Sequence, residues 1–380
     1  MQQEPARRRR WPWAVAAVVL TVLGIMVVTV WLAYRNLEDN IATIDPGDGL
    51  GDVRPAKDSQ ALNILAIGSD TREGANGSVG GDSPGLADTT MLLHLSADNS
   101  WAAGVSIPRD SMVQMPDCVG PDGAVVPGAL RQFNSAYVIG GPVCVQRTME
   151  SLTGIAIDHF AVVDFVGFVA MVDAIGGVTV YVDAPIDDPA SKIAFEPGCQ
   201  TLDGQAALDY VRVRKGVEGG DGSDTQRIER QQQFVSALIQ KVTSTGVLFN
   251  PVDLYQFLDA ATSSLTTDPG LGSIRALASV AVRARDVGLS EIGFLTVPVE
   301  DWPPDPNRVQ WVQPEADELW TTLRLDEPLR TPSPTPAPSD GAAPTAGAGS
   351  GEGPATSAPT DSATATTGVS PGDAPTCPIG

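Results

Sequence analysis

The sequence predicts an α/β chain: a layered α-β-α domain around a central mixed sheet, preceded by one transmembrane helix and followed by a disordered tail. Three observations carry that prediction. Short apolar runs of strand type alternate with runs of helical period through residues 61–328. An uncharged apolar stretch from Trp11 to Tyr34 follows four consecutive arginines at 7–10. From Thr331 onward the chain is mostly Pro, Ala, Thr, Ser and Gly, which cannot bury enough apolar surface to fold.

Composition narrows the chemistry. A formal net charge of -22 over 380 residues argues against nucleic acid as a partner, which needs a basic footprint. Only two histidines are present, so a three-histidine zinc site is impossible. His94 and His159 each sit in an apolar strand-like run, MLLHLS and DHFAVV, and are read as structural. The four cysteines, Cys118, Cys144, Cys199 and Cys377, include no C-x-x-C pair, which makes disulfides the expectation for a domain outside the cytoplasm.

In order along the chain, residues 1–10 form a basic cytoplasmic stub and 11–34 a signal anchor. About 20 apolar residues span the hydrocarbon core, and Trp11, Trp13, Trp31 and Tyr34 stand where interface aromatics do. A cleaved signal peptide is the rival reading. The apolar run is too long for a signal core, and no small-residue cleavage site precedes NLEDN. The arginines keep the N-terminus cytoplasmic in this single-pass cell-membrane topology, which puts the rest outside. Residues 35–60 read as an extracellular spacer, 61–328 as the folded domain and 329–380 as the tail.

Within the domain, ALNILAIG (61–68), TTMLLHLS (89–96) and NSWAAGVSIPRD (99–110) read as strands. A Pro/Gly-rich excursion follows, flanked by Cys118 and Cys144, and a disulfide between them would stabilise by roughly 3 kcal/mol in the chain-entropy account. VCVQRTMESLTG reads as a helix ending at Gly154, and DHFAVVDF (158–165) as a strand. Asp164 then caps a helix with Phe165, Phe168, Val169 and Val172 on one face. GVTVYVD reads as a strand and LDGQAALDYVRVR as a helix from about Leu202. A helix over Thr225–Val242 follows, then helical patterns at 251–264, 271–285 and 313–324, and a strand within 289–299.

The stretch from Leu202 to Phe234 concentrates cations in an acidic chain: Arg212, Arg214 and Lys215 before a glycine-rich loop, then Arg227, Arg230 and Gln231 after it. The last three fall at i, i+3 and i+4 behind Asp224, a natural N-cap, so they share one face near a helix N-terminus, which favours an anion. Taken alone, such a cluster is more often a solvated face. Polar groups at strand ends add to it: Asp70 and Arg72 in GSDTR, Asp88 in LADTT, and Arg109 with Asp110 in SIPRD. Two carboxylates beside several guanidiniums can hold Mg2+, or Mn2+ in its place, and neutralise phosphate oxygens during phosphoryl transfer.

These residues carry a resemblance. NILAIGSDTR, ADTTMLLHL, VSIPRDSMV, FNSAYVIGG, IDHFAVVDFVGFVAMVDAIGGVTV, LDGQAALDYVRVR and GSDTQRIERQQQF are similar, in order, to the LytR-CpsA-Psr family of cell-wall glycopolymer ligases in its actinobacterial form. They cover a motif core of about 61–245. The resemblance implies a membrane-anchored phosphotransferase. It would move a glycopolymer (arabinogalactan, teichoic acid or capsule) from a polyprenyl-pyrophosphate carrier onto a peptidoglycan hydroxyl, leaving a phosphodiester. It implies Asp70 and Asp88 as the Mg2+-linked acids, and catalytic roles for these two with Arg109 and Arg227. Arg72, Arg109, Arg212, Arg214, Arg227, Arg230 and Gln231 would bind pyrophosphate. It also implies an apolar cavity for the prenyl chain, for which FVGFVAMV is a candidate, although plain core suits that run equally.

One departure concerns cysteine. Related sequences often carry a cysteine where this chain has Tyr181, pairing with the equivalent of Cys199. Here Cys199 is either a free thiol or bonded to Cys377. Two other functions fit the same cluster: a polyprenyl-pyrophosphate pyrophosphatase with water as acceptor, and a non-catalytic envelope protein that binds lipid pyrophosphate.

Overall fold

The computed structural model describes residues 11–51, 53–69, 87–189, 191–214, 216, 224–244, 250–288, 291–329 and 377. Strand β1 is Ala42–Thr43, β2 Leu62–Ser69, β3 Ala87–Leu95, β4 Ala102–Ile107, β5 His159–Asp164, β6 Leu265–Thr267 and β7 Ile292–Thr296. They form one mixed sheet in the order β1-β6-β5-β2-β3-β4-β7. β2 to β4 run as antiparallel neighbours, and a four-residue turn, 97–100, joins β3 to β4. β5 and β7 join parallel to β2 and β4 after helical crossovers.

The strand alternation sorts the core into two layers. Leu65, Ile67, Leu92, Val105 and Phe160 face helices α2 (Ser135–Thr153) and α8 (Glu315–Arg324), and pack with Val145, Met149, Trp320 and Leu323. Met91, Phe294 and the half-buried Ala66 face the other way, toward α5 (Asp224–Ser244) and α7 (Ile274–Val287). A Cβ on Gly104 would stand 2.6 Å from the Phe294 ring and 3.0 Å from Met91 Sδ, so this second face is closed by a glycine that leaves room for both.

A separate apolar cluster lies beside the sheet. Helix α3 (Phe165–Ala174), capped by Asp164 through the Gly167 amide at 2.7 Å, and α4 (Gly204–Arg212), capped by Asp203, pack on a hairpin of Val178–Val182 with Gly198–Leu202. Val172, Val180, Tyr210 and Phe234 fill it, and Phe168 packs its ring 5.3 Å from that of Phe234. FVGFVAMV therefore contributes to a packed core in this structure. Helix α6 (Pro251–Ser263) closes over α3 where Gly167 meets Ser264.

The N-terminal helix α1 runs Trp11–Asn40, and its first two dozen residues are long and apolar enough to cross a membrane. The expectation for 35–60 is corrected. Its first residues continue α1, 42–43 join the sheet, and Leu50 is buried where the 47–50 turn packs on α2, so this segment is part of the folded body. Leu37 and Glu38 extend the helix past the apolar run because helical propensity does not end where hydropathy does. Most predicted elements appear with ends shifted by a few residues; α4, for instance, starts at Gly204 where Leu202 was expected. Both disulfides are present: Cys118–Cys144, as expected, and Cys199–Cys377, which resolves the two alternatives for Cys199. Tyr181 stands directly across the hairpin from Cys199, so the tail cysteine occupies the role the missing cross-strand cysteine would have had. The stub and the tail, Cys377 apart, lie outside the described residues.

Candidate functional site

One edge of the sheet collects the ends of β2, β4, β5 and β7 and the start of β3, and the registers Ser69↔Ala87, Ser69↔Asp164 and Thr90↔Ile107 bring these points together. Asp88, the second residue of β3, accepts a hydrogen bond at Oδ1 from Arg109 Nη1, and its backbone carbonyl accepts from Arg227 Nη2 at 3.3 Å. Arg109 follows β4 through Pro108, whose fixed φ starts the turn.

Asp110 is the hub of the cluster. Its carboxylate lies 3.6 Å from Arg109 Nε, 4.0 Å from Arg214 Nη2 and 3.3 Å from Arg308 Nη1, and it accepts from Gln132 Nε2 at 2.8 Å. Four guanidiniums, Arg109, Arg214, Arg227 and Arg308, thus converge on Asp88 and Asp110. Arg308 was not found from sequence. It sits in a short C-terminal hairpin, Val299–Asp301 with Val309–Trp311, which docks on the Arg109–Ser111 corner through Val309 N to Asp110 O at 3.3 Å. No local signal marks it, since its partner lies almost 200 residues upstream.

The face shared by Arg227, Arg230 and Gln231 is divided by the structure. All three are buried, but only Arg227 reaches Asp88. Arg230 Nη2 donates to the Val213 carbonyl, and Gln231 Nε2 to the Val211 carbonyl at 3.1 Å. These are carbonyls at the C-terminal end of α4, which have no partner within the helix. Burial pulls the Arg230 pKa below the ordinary guanidinium value. Arg212, in the last turn of α4, stacks its guanidinium 4.7 Å from the Phe165 ring centroid. Arg230 and Gln231 therefore fix the segment that presents Arg212 and Arg214.

Gly216 shows why a glycine stands after this segment. Its φ is +78°, a Cβ would lie 1.9 Å from the Asp187 carbonyl oxygen, and its own carbonyl accepts from Asp187 N at 2.8 Å. The remaining loop glycines and Lys215 lie outside the described residues, as do Asp70 and Arg72.

For a divalent ion, the donors at this edge are hard carboxylate oxygens, with Asp88 the described member of the expected Asp70–Asp88 pair. Among the described residues there is no group of three or more His, Cys, Asp or Glu side chains placed to hold a metal. The donor set fits Mg2+, which takes one or two carboxylates and completes its shell with phosphate oxygens and water. Neither histidine is here. His94 is buried at the opposite edge between Asn63 and Asp326, stacked 4.8 Å from Trp101, and His159 pairs with Asp268 at 3.0 Å.

Sequence comparison gives the class of this α/β domain behind one apolar helix. The profile of the LytR_cpsA_psr family matches residues 28–325, and the chain belongs to that family. It is 33% identical over 318 residues to the probable cell wall biosynthesis protein LcpB of Corynebacterium glutamicum, covering 80% of this chain and 70% of LcpB. It is 31% identical over 312 residues to LcpA of the same organism, named a cell wall biosynthesis protein, covering 75% of this chain and 58% of LcpA. The Bacillus subtilis TagV, named a polyisoprenyl-teichoic acid–peptidoglycan teichoic acid transferase, is 29% identical over 244 residues, with 62% of this chain and 57% of TagV covered. The crystal structure of TagV superposes with a TM-score of 0.55 at 26% identity, covering 72% of this chain and 99% of that one. Relatives of this chain are thus named as cell-wall polymer transferases.

Proposed function

We propose that this protein is a membrane-anchored phosphotransferase that moves a glycopolymer from a polyprenyl-pyrophosphate carrier to a hydroxyl of peptidoglycan. The observation that carries the reading is the convergence of Arg109, Arg214 and Arg308 on the carboxylates of Asp88 and Asp110 at the sheet edge, with Arg227 on the Asp88 carbonyl. Guanidiniums gathered at one edge suit the oxygens of a pyrophosphate diester, which they can meet with paired, charge-assisted hydrogen bonds. The domain lies on the extracellular side, where its acceptor is, with the N-terminus cytoplasmic.

In the reaction, the acceptor hydroxyl oxygen attacks the phosphorus that bears the glycan. The bond from that phosphorus to the bridging oxygen breaks, polyprenyl monophosphate leaves, and the hydroxyl proton passes to a carboxylate or water. Arg109, Arg214 and Arg227 bind the pyrophosphate oxygens and stabilise the charge that develops on the departing phosphate. Arg212, held on Phe165, binds on the α3 side, and Arg72, which lies outside the described residues, is assigned to the same set. Arg230 and Gln231 position α4. Asp88 with Asp70 would hold Mg2+, or Mn2+ in its place, which supplies further charge neutralisation when bound. The polymer class (arabinogalactan, teichoic acid or capsule) follows from the carrier presented.

The test uses purified full-length protein, lipid-linked oligosaccharide, Mg2+ and peptidoglycan. Formation of an acceptor-linked phosphodiester with release of polyprenyl monophosphate is expected. Release of phosphorylated glycan to water alone would make it a pyrophosphatase. Binding of the lipid without turnover would make it a non-catalytic receptor.

A further inference from the structure

The anchor helix does not end at the bilayer and hand over to a flexible linker. Its last turns dock on α6: Asn36 Nδ2 donates to Asp259 Oδ1 at 2.9 Å and Tyr255 Oη at 3.1 Å. Asn40 Nδ2 donates to the same Asp259 oxygen at 2.9 Å and to Thr262 Oγ1 at 3.2 Å. Glu38, on another side of α1, accepts from the first amide of α7. Tyr34, the last residue of the apolar run, is six residues before Asn40, about 9 Å along a helix. The folded body therefore starts at the membrane surface.

The strand registers say which edge of the sheet faces the membrane. β1 leaves α1 and pairs Ala42 with Thr266, while Leu265 pairs with Val163. Ala42 and Leu265 are thus the ends of β1 and β6 nearest Asp164, and both α1 and α6 enter the sheet from that side. This is the edge that carries Asp88 and Arg109. The contacts of Asn36 and Asn40 with successive turns of α6 make the two helices parallel. Extrapolated backward at the same offset, the first turn of α6 stands about level with Trp31, among the interface aromatics. Val252 in that turn is 60% exposed. From α6 the coupling runs on through Ser264 against Gly167 to α3, whose first residue, Phe165, carries Arg212.

We infer that α1 is a rigid stalk, pinned by Asn36 and Asn40 on Asp259, that sets the anion site toward the bilayer and rests the N-terminal turn of α6 in the lipid headgroups. The partner of this surface is the outer face of the membrane. Resting on the function proposed above, the device lets a pyrophosphate whose lipid chain stays in the bilayer reach Arg212 and Arg109 without leaving the leaflet.

All four cysteines are in disulfides, so a nitroxide can be placed on one added cysteine. Two full-length variants in lipid nanodiscs test the geometry: Val252→Cys, on α6, and Ala97→Cys, exposed in the turn between β3 and β4 at the opposite edge. The Val252 label is expected to be relaxed preferentially by dioxygen, which partitions into lipid, and the Ala97 label by an aqueous nickel chelate. Asn36→Ala with Asn40→Ala should abolish the preference at position 252, and Asp259→Ala, which spares α1, should do the same. Equal access of the chelate to both labels, or an unchanged label depth in both variants with a native melting temperature, overturns the inference.

A second readout separates orientation from stability. The double variant should lose about tenfold or more in turnover of a bilayer-embedded donor, through lower effective concentration, and keep turnover of a short-chain water-soluble donor. Equal loss on both donors overturns it. Absence of turnover by the parent protein would count against the proposed function and leave the label depths to decide this inference.

Discussion

The two edges of the central sheet are both rich in charge, and they use it differently. At the far edge, cations and carboxylates pair off: Arg54 with Glu150, Lys57 with Asp158, Arg324 with Asp58, while His159 Nδ1 hydrogen-bonds with Asp268. Glu150, buried, also accepts from the Ile157 amide at 3.0 Å, so its charge closes a loop of the fold. At the near edge four guanidiniums share Asp88 and Asp110. The far-edge pairs each tie two segments together, whereas the near-edge guanidiniums gather from the ends of β4 and α4, from α5 and from the C-terminal hairpin at one place. That gathering supports the near edge as the proposed site independently of its motifs.

The contrast is broken most directly at Arg227. Arg227→Ala is expected to lower turnover by about 10²–10³, far beyond the loss in stability from its bond to the Asp88 carbonyl, since on the proposed function it binds the pyrophosphate. Near-normal turnover would take Arg227 out of the site. Glu150→Ala should do the reverse, costing about 1–3 kcal/mol of stability through the orphaned Ile157 amide and leaving pyrophosphate affinity in place. Chemical denaturation alongside lipid binding reads both, and loss of binding at unchanged stability would refute the division.

A smaller effect is expected at Arg308. Its guanidinium is half-exposed and shared between Asp110 and Asp305, so Arg308→Ala should reduce affinity for the pyrophosphate by about tenfold or less, with a weaker salt dependence. No change in the salt dependence would assign Arg308 to the hairpin alone. The smallest effect is a pH dependence at the far edge. Burial pulls the His94 pKa below its ordinary value of 6.5, against the opposing hydrogen bond to Asp326. The unfolded chain then binds the extra proton first, so this contribution is complete above about pH 6.5 and falls as pH drops toward the folded value. Melting curves of the parent should slope downward there more than those of His94→Gln, and identical slopes would discount the histidine.

Much of this was legible in the sequence. Period-two and period-3.6 runs located β2 to β5 and most helices because their side chains fill the two layers of the core. Strands of two or three residues, β1 and β6, were not, since they take their place from pairing partners far away in the chain. Asp88 and Arg109 stood out as polar residues at strand ends. Spacing put Arg227, Arg230 and Gln231 on one face correctly, but spacing cannot say what lies opposite that face. Two of the three turned out to meet the carbonyls of α4. Arg308 was invisible because only tertiary folding brings its hairpin to Asp110, and the continuation of α1 through Asn40 was hidden by a change from apolar to polar residues that leaves the backbone helical.

The Cys199–Cys377 bond joins positions 178 apart, and between the end of the described domain at Leu329 and Cys377 it closes the tail into a covalent ring with the protein body. A single protease cut in that ring frees nothing. The nicked protein keeps its mass on a non-reducing gel and releases a C-terminal fragment only after reduction, so proteolysis of the tail would go unseen until the thiols are restored.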